Sequence, residues 1–310
     1  MSLKKTILFI DHDKKATGST ISLIYLVKYF VKKDYSVFVL SPKEGDYINY
    51  IENTGAEFIK MKWKFNIHTH FTNVHSLLRP KGLVIFYVFW VRLIKGIIYS
   101  FFIYKKINPN IVYINEHTLF QFGITSKLLG IPTFTHLRSP MLKGTFGLRK
   151  TIITCVLKFF NNNVFAITSV ESNQLNISNV LIINEFLDEY NFKENNLSQI
   201  KIKYNIPSDQ KILLILGAYE PIKGNLIALK ALKKLLINRE RVFLIIVGKV
   251  NDKNLTCRKY FFECQKIIST YNIEDNLLSI THTDNPVELI SISDIVISPL
   301  TKSHFSRPII

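Results

Sequence analysis

LLILGAYEPIKGN, residues 213–225, closes an apolar run on Gly217, crosses a short polar turn and offers Lys223 and Gly224 before a helical pattern begins. A buried strand that ends in glycine and turns into a helix is a unit of an open α/β sheet, and such sheets bind ligands beyond the carboxyl ends of their strands. Helix-terminal amides and an ammonium would converge there, where a phosphate could bind. A lysine in an ordinary surface turn reads the same way locally, so the rest of the chain has to separate the two.

Outward from this stretch, apolar runs alternate with longer helical patterns. TILFI (6–10), SVFVL (36–40), NIVYI (110–114), PTFTHL (132–137) and VFAIT (164–168) are short, rich in β-branched or aromatic residues and bounded by turn residues or charges. STISLIYLVKYFVKK, after Gly18, sets Leu23, Val27, Phe30 and Val31 on one helical side. The polar stretch NEFLDEYNFKENNLSQ reads as a connection near residues 188–205, and then the pattern restarts. KILLIL (211–216), VFLIIVG (242–248), LLSIT (277–281) and DIVISP (294–299) supply a second set of strands, with helices expected over residues 226–238, 257–271 and 286–293. The pattern is that of two doubly wound, parallel, Rossmann-like halves, with domains expected over residues 1–190 and 191–310.

Bulk properties agree and narrow the function. At 310 residues, 47% of them hydrophobic, the chain can fill two cores. Cys155, Cys257 and Cys264 lack the spacing of a zinc site or a disulfide framework, and only a few apolar residues precede Asp11, too few for a signal peptide. A reduced, cytoplasmic compartment is expected. The net charge of +17 is uneven, with 22 cations against 8 acids in residues 1–150. Residues 60–150 carry 14 cations and one acid, Glu116, which calls for an anionic partner. Nucleic acid would normally bring a recognisable module, and none is present. An anionic membrane or a phosphorylated substrate remains.

Within that basic region lies GLVIFYVFWVRLIKGIIYSFFIY, residues 82–104, long enough at about 1.5 Å per residue to span a bilayer. Arg92 and Lys95 interrupt its middle at a cost of roughly 2.5–3.5 kcal/mol each in a membrane core. Two readings stay open, a mostly buried helix of the first domain and a helix lying in a membrane interface. Arg79, Lys81, Lys105 and Lys106 flank it and favour proximity to anionic lipid.

GAYEPIKGN resembles the GRL-x-P-x-KG turn of the GT-B glycosyltransferases of family 4, and the resemblance continues in register along the chain. FLIIVGK is similar to their strand ending in IVGxG, NPVELISISDIVISPL to their dVpellaaaDvfvlPS segment, and HFSRPII to the start of EGFGxxxxEA. In the first half NIVYINEH, GIPTFTHLRS and VLIINEFLDEYNF are similar to DIVHxHs, GiPvvxtxHxxe and kviVIpNGvDxexF. The resemblance implies an α/β GT-B fold with two Rossmann-like domains facing across a cleft. It also implies transfer of a sugar, with retention of configuration, from a nucleotide-sugar to a saccharide acceptor that the basic, apolar first half makes a lipid-linked one. No cofactor and no metal is implied, and nucleic acid is not a partner. The place of work would be the inner face of the cytoplasmic membrane, in building a surface polysaccharide such as lipopolysaccharide or capsule. A GT-B-fold binding or scaffold protein without activity is the alternative.

The resemblance also assigns residues. Lys223 would stabilise the departing diphosphate, with Gly217, Ala218, Gly224, Gly248, His304, Phe305, Ser306 and Arg307 around the donor. Ala218 stands where relatives carry arginine, so either another cation such as Arg307 substitutes or the leaving group is stabilised less. His136 falls on the histidine placed near the reacting sugar. Gly18, Asn115 and Arg138 would meet the acceptor, Gly18 by letting a phosphate approach the backbone. His68, His70 and His75 lack an acidic or cysteine partner and read as acceptor contacts rather than a metal site. In the E-x7-E signature the first acid would fall on Ser303 and the second just beyond Ile310, so the second domain is expected to be incomplete and residues 1–310 to transfer little sugar alone.

Overall fold

The structure, a computed structural model, describes residues 4–12, 18–42, 46–62, 65, 80–139, 141, 147–178, 180–184, 197–283 and 285–301. The chain divides into two compact units, residues 1–186 and 187–310.

Unit 1 is built on a seven-stranded sheet of order β3-β2-β1-β4-β5-β6-β7, every neighbour pair parallel. The strands are β1 Thr6–Ile10, β2 Ser36–Ser41, β3 Glu57–Lys60, β4 Ile111–Ile114, β5 Thr133–Leu137, β6 Asn163–Ala166 and β7 Val180–Ile182. Helices α1 Gly18–Lys32, α2 Asp46–Glu52, α3 Pro80–Ile107, α4 Gln121–Leu128, α5 Leu148–Phe160 and α6 Ser169–Ser172 connect them. Alternate strand residues face opposite layers. Ile7, Phe9, Val37 and Val39 meet Leu23 and Val27 of α1 and Tyr47 and Ile51 of α2. Leu8, Ile10, Leu40, Val112 and Ile114 meet Tyr104 of α3 and Phe122 of α4. The edge strands β3 and β7 add to those expected from the sequence; each is short, and neither buries a residue fully.

The long apolar helix is not mostly buried. One side of α3 packs on unit 1, where a Cβ on Gly96 would come within 2.7 Å of the Gln121 side chain. Ser100 Oγ lies 2.6 Å from Thr125 Oγ1, and Tyr104 OH donates to the Phe122 carbonyl at 3.1 Å. The other side leaves Leu83, Tyr87, Trp90, Ile94, Ile98, Phe101 and Phe102 exposed.

Unit 2 opens with α7 Leu197–Lys203, a helix inside the stretch expected to be a connection. Its Ile200 is buried with Ile212, Leu214 and Leu289, which is why the segment belongs to this core. The four strands β8 Lys211–Leu216, β9 Val242–Val247, β10 Leu277–Ile280 and β11 Ile295–Val296 run parallel in the order β10-β9-β8-β11. Helices α8 Asn225–Ile237 and α9 Leu255–Tyr271 cover one face through Leu229, Leu232, Cys264 and Ile268. The other face is closed by α7 and by α10 Pro286–Ser291.

Candidate active site

Both sheets have a switch point, the gap between neighbouring strands whose connections leave in opposite directions. In unit 2 it lies between β8 and β11. Gly217 closes β8, its amide bonded to the Val247 carbonyl at 2.8 Å, and the chain turns back through Ala218 to Lys223. Three glycines make the turn possible. A Cβ on Gly248 would sit 2.1 Å from the Gly217 carbonyl oxygen, and one on Gly224 would sit 1.8 Å from that of Pro299. Gly224 also has φ of +72°, a left-handed conformation open to glycine. With no side chains there, the ends of β8 and β9 and the segment after β11 close to backbone contact. Tyr219 ties the turn to β10 through its hydroxyl, 2.8 Å from Ser279 Oγ.

The Lys223 side chain lies over Gly217, its Cδ 3.3 Å from where a Cβ would be. Burial lowers its ammonium from the ordinary value, with the charge of Glu220 opposing. A half-desolvated cation is a stronger partner for an anion than a hydrated one. Next to it Asn225 begins α8, 0% exposed, and neither its Oδ1 nor its Nδ2 has a hydrogen-bond partner. A buried amide left so costs about 1–3 kcal/mol. The sequence carried no local signal for Asn225.

In unit 1 the switch point lies between β1 and β4, and side chains fill it. Asn115, just past β4, donates from Nδ2 to Asp11 Oδ1 at 3.1 Å and to the Ser19 carbonyl in the first turn of α1 at 3.3 Å. Arg138, just past β5, donates from Nε to Asn115 Oδ1 at 2.8 Å. Three strand ends and the start of α1, with Gly18 exposed at its head, are thereby joined. Arg138 and the α1 N-terminus bring positive charge to this end of the sheet, set against the buried Asp11 carboxylate. Asp11, which the sequence reading passed over, had a usable signal in following β1 directly.

His136 stands apart from that network. It points from β5 onto the aromatic face of the sheet, where its Nδ1 lies 2.7 Å from Tyr113 OH and its ring meets Phe165 edge-on. A cavity of about 330 Å³ opens beside it, lined also by Phe9, Phe30, Phe134 and Asn184. Its Nε2 is buried without a partner. Burial, and then the Arg138 charge, push the imidazole well below its ordinary value while Glu116 opposes, so the ring is neutral at physiological pH. Gly217, Ala218, Lys223, Gly224 and Gly248 are brought together in unit 2, and Asn115, Arg138 and the α1 start in unit 1. His304, Phe305, Ser306 and Arg307 lie outside the described residues, as do His68, His70 and His75.

Comparison with known proteins bears on both units. The family described as Glycosyl transferases group 1 matches over residues 198–310. A glycosyltransferase from Rickettsia africae superimposes with a TM-score of 0.74 at 19% identity, covering 99% of this chain and 76% of that one. The Anabaena protein HepE, solved in complex with UDP, gives 0.75 at 17% identity and covers 98% and 77%. The lipopolysaccharide outer core galactosyltransferase WaaB gives 0.56 at 13% identity and covers 93% and 70%. No curated protein sequence matches. The chain has the fold these structures share, a mixed α/β GT-B fold with parallel sheets.

Proposed function

We infer, from a group 1 glycosyltransferase domain over residues 198–310 on a GT-B fold, which sugar transfer this enzyme performs and where. It moves a hexose from a nucleoside diphosphate donor to a saccharide acceptor with retention at the anomeric carbon. The acceptor is carried on a lipid, and the work is done at the inner face of the membrane during assembly of a surface polysaccharide. The observation that carries the reading is the glycine cradle of Gly217, Gly224 and Gly248 with Lys223 lying across it. HepE, of the same fold, has been solved with UDP and with UDP-glucose.

The chemistry follows from charge. As the bond between the anomeric carbon and the diphosphate oxygen breaks, the sugar becomes oxocarbenium-like and negative charge grows on the leaving phosphate. Lys223, held by burial and aimed by its packing on Gly217, stabilises that charge more in the transition state than in the ground state. The amides at the start of α8 are already engaged, Leu226 with the Tyr260 hydroxyl and Ile227 and Ala228 with the Gly224 carbonyl, so the cation rather than the helix end carries this role. The acceptor hydroxyl forms the new bond to the anomeric carbon as the bond to the diphosphate breaks, and its proton passes to the departing phosphate oxygen. Lys223 supplies the positive charge, so the reaction as proposed needs no metal. In unit 1 the guanidinium of Arg138, held by Asn115 beside the exposed Gly18, brings positive charge toward an acceptor phosphate, and the neutral His136 lies next along β5.

The test begins with saturation-transfer NMR using UDP, followed by mass spectrometry of products from a panel of nucleotide-sugars. Nucleotide binding with release of nucleoside diphosphate and a glycosylated product is expected. Lys223→Ala should keep donor binding within several-fold while turnover falls. Unchanged turnover at saturating donor in that variant overturns the leaving-group role.

A further inference from the structure

Helix α3 contains 28 residues, so it runs about 42 Å. At about 100° per residue, Leu83, Tyr87, Trp90, Ile94, Ile98 and Phe101 fall within an arc of roughly 80° along its length. Each is at least 42% exposed, Tyr87 68% and Ile94 54%. Exposed apolar side chains scattered singly need no explanation, but a continuous stripe along a helix marks a contact surface.

The opposite side of the helix decides what kind of contact this is. Gly96, Ser100 and Tyr104 are pressed against α4 through the Gln121, Thr125 and Phe122 contacts, and Phe65 stacks on Tyr99 at 4.7 Å. A helix walled by its own domain along one side cannot be surrounded by lipid, so α3 does not cross a bilayer. It can lie flat in one. Charge names the surface: residues 80–107 contain Lys81, Arg92, Lys95, Lys105 and Lys106 and no acid. Lys95, Lys105 and Lys106 are exposed, and Lys105 Nζ sits 5.8 Å above the Phe101 ring at the end of the stripe. Tyr87 and Trp90 have the amphipathic rings that favour the headgroup level.

We propose that α3 is an in-plane membrane anchor, its Leu83-to-Phe101 stripe inserted among the acyl chains and its lysines on anionic headgroups. The proposal deepens the membrane-side reading of the acceptor but needs none of the transfer chemistry, so the two can fail separately. Trp63 and Trp90 are the only tryptophans, so Trp63→Phe leaves Trp90 as the sole reporter. That chain is titrated with vesicles of phosphatidylcholine containing about one third phosphatidylglycerol, and with neutral vesicles. Partitioning should exceed that on neutral vesicles by tenfold or more and fall steeply with salt. Brominated lipids labelled near the headgroup should quench Trp90 more than those labelled at the acyl end.

Ile94→Asp and Tyr87→Asp change exposed side chains and should each lower partitioning about tenfold, with UDP binding retained as proof of folding. Lys105→Glu should lower it severalfold on anionic vesicles only. Strongest quenching from acyl-end labels would mean a spanning helix and overturn the proposal. So would partitioning that ignores the Asp variants, or a dimer in sedimentation equilibrium that the same variants dissolve, since a second copy would then cover the stripe. Loss of UDP binding with vesicle binding intact would instead strike the donor-site reading and leave this one standing.

Discussion

The switch points of the two sheets are finished in opposite ways. Between β1 and β4 the crevice is filled by side chains from three strand ends, Asp11, Asn115 and Arg138, linked by hydrogen bonds. Between β8 and β11 side chains are removed at Gly217, Gly224 and Gly248 so that backbones close to contact, and a single lysine is laid over the result. The first construction is a network whose members can be exchanged at the cost of lost partners. The second is steric and fails by collision. The same sheet architecture can thus present charge through a web of donors or through one cation on bare backbone, and the two respond to mutation in different ways.

The largest expected effect sets the sharpest contrast. Gly248→Ala places a methyl 2.1 Å from the Gly217 oxygen, backbone against backbone, and should cost about 4 kcal/mol or more in chemical denaturation with loss of UDP binding. Gly123→Ala in unit 1 meets the Asn161 side chain, at 3.2 Å, which can shift at the expense of its 2.7 Å bond from Thr135 Oγ1, and should cost about 1–2 kcal/mol. Equal outcomes for the two glycines would break the comparison.

Next in size, Lys223→Ala should lower turnover on the order of 10²–10³-fold while the unfolding midpoint barely moves. Asn115→Ala should do the reverse in kind. It strips Arg138 Nε of its acceptor and Asp11 of a donor, and about 2–3 kcal/mol of stability should be lost from unit 1 with UDP binding unchanged. A stability loss from Lys223→Ala as large as that from Asn115→Ala would show that the lysine is structural.

The smallest effect is a pH dependence confined to unit 1. His136 titrates below its unfolded value of about 6.5, so below that pH the unfolded chain takes up a proton that the folded ring refuses. Stability is fully present above pH 7 and should fall, by up to about 1.4 kcal/mol per pH unit, as the pH drops below about 6.5. His136→Gln should flatten that slope. Glu116, held at about 2 by the charge and hydrogen bond of His117 against the upward push of burial, stays ionised throughout the window. An unchanged slope in His136→Gln would assign the acid sensitivity elsewhere.

What could be read from the chain follows from how local each feature is. TILFI, KILLIL and VFLIIV announce central strands because both of their faces are buried, which leaves unbroken apolar runs. β3 and β7 lie at sheet edges and run three or four residues; β3 holds two apolar residues between charges, and the apolar β7 is too short and too exposed to stand out as a core strand. The turn from Gly217 to Gly224 is contiguous and was visible whole. The Asp11, Asn115 and Arg138 network joins residues up to 104 positions apart, and only the two strand-end residues lying inside recognisable motifs were named. α7 reads as linker in the sequence because its polar neighbours outweigh one buried position, Ile200. The helix at residues 80–107 was visible, but whether its apolar side faced protein or solvent depended on what stood beside it.

The pairing of β1 with β4 also has a bearing on synthesis. Ile7 finds its partner Ile111 only after 104 further residues have been added. At roughly 5–20 residues per second a ribosome takes on the order of 5–20 s to supply them. Until then the apolar first strand has β2 on one side and an open backbone edge on the other, the kind of edge that recruits foreign strands. Unit 2 repeats the pattern with a shorter wait, since Lys211 of β8 meets Val242 of β9 after 31 positions but Leu213 of β8 meets Ile295 of β11 only after 82. The nascent first unit therefore keeps a central strand edge open longest, 104 positions against 82.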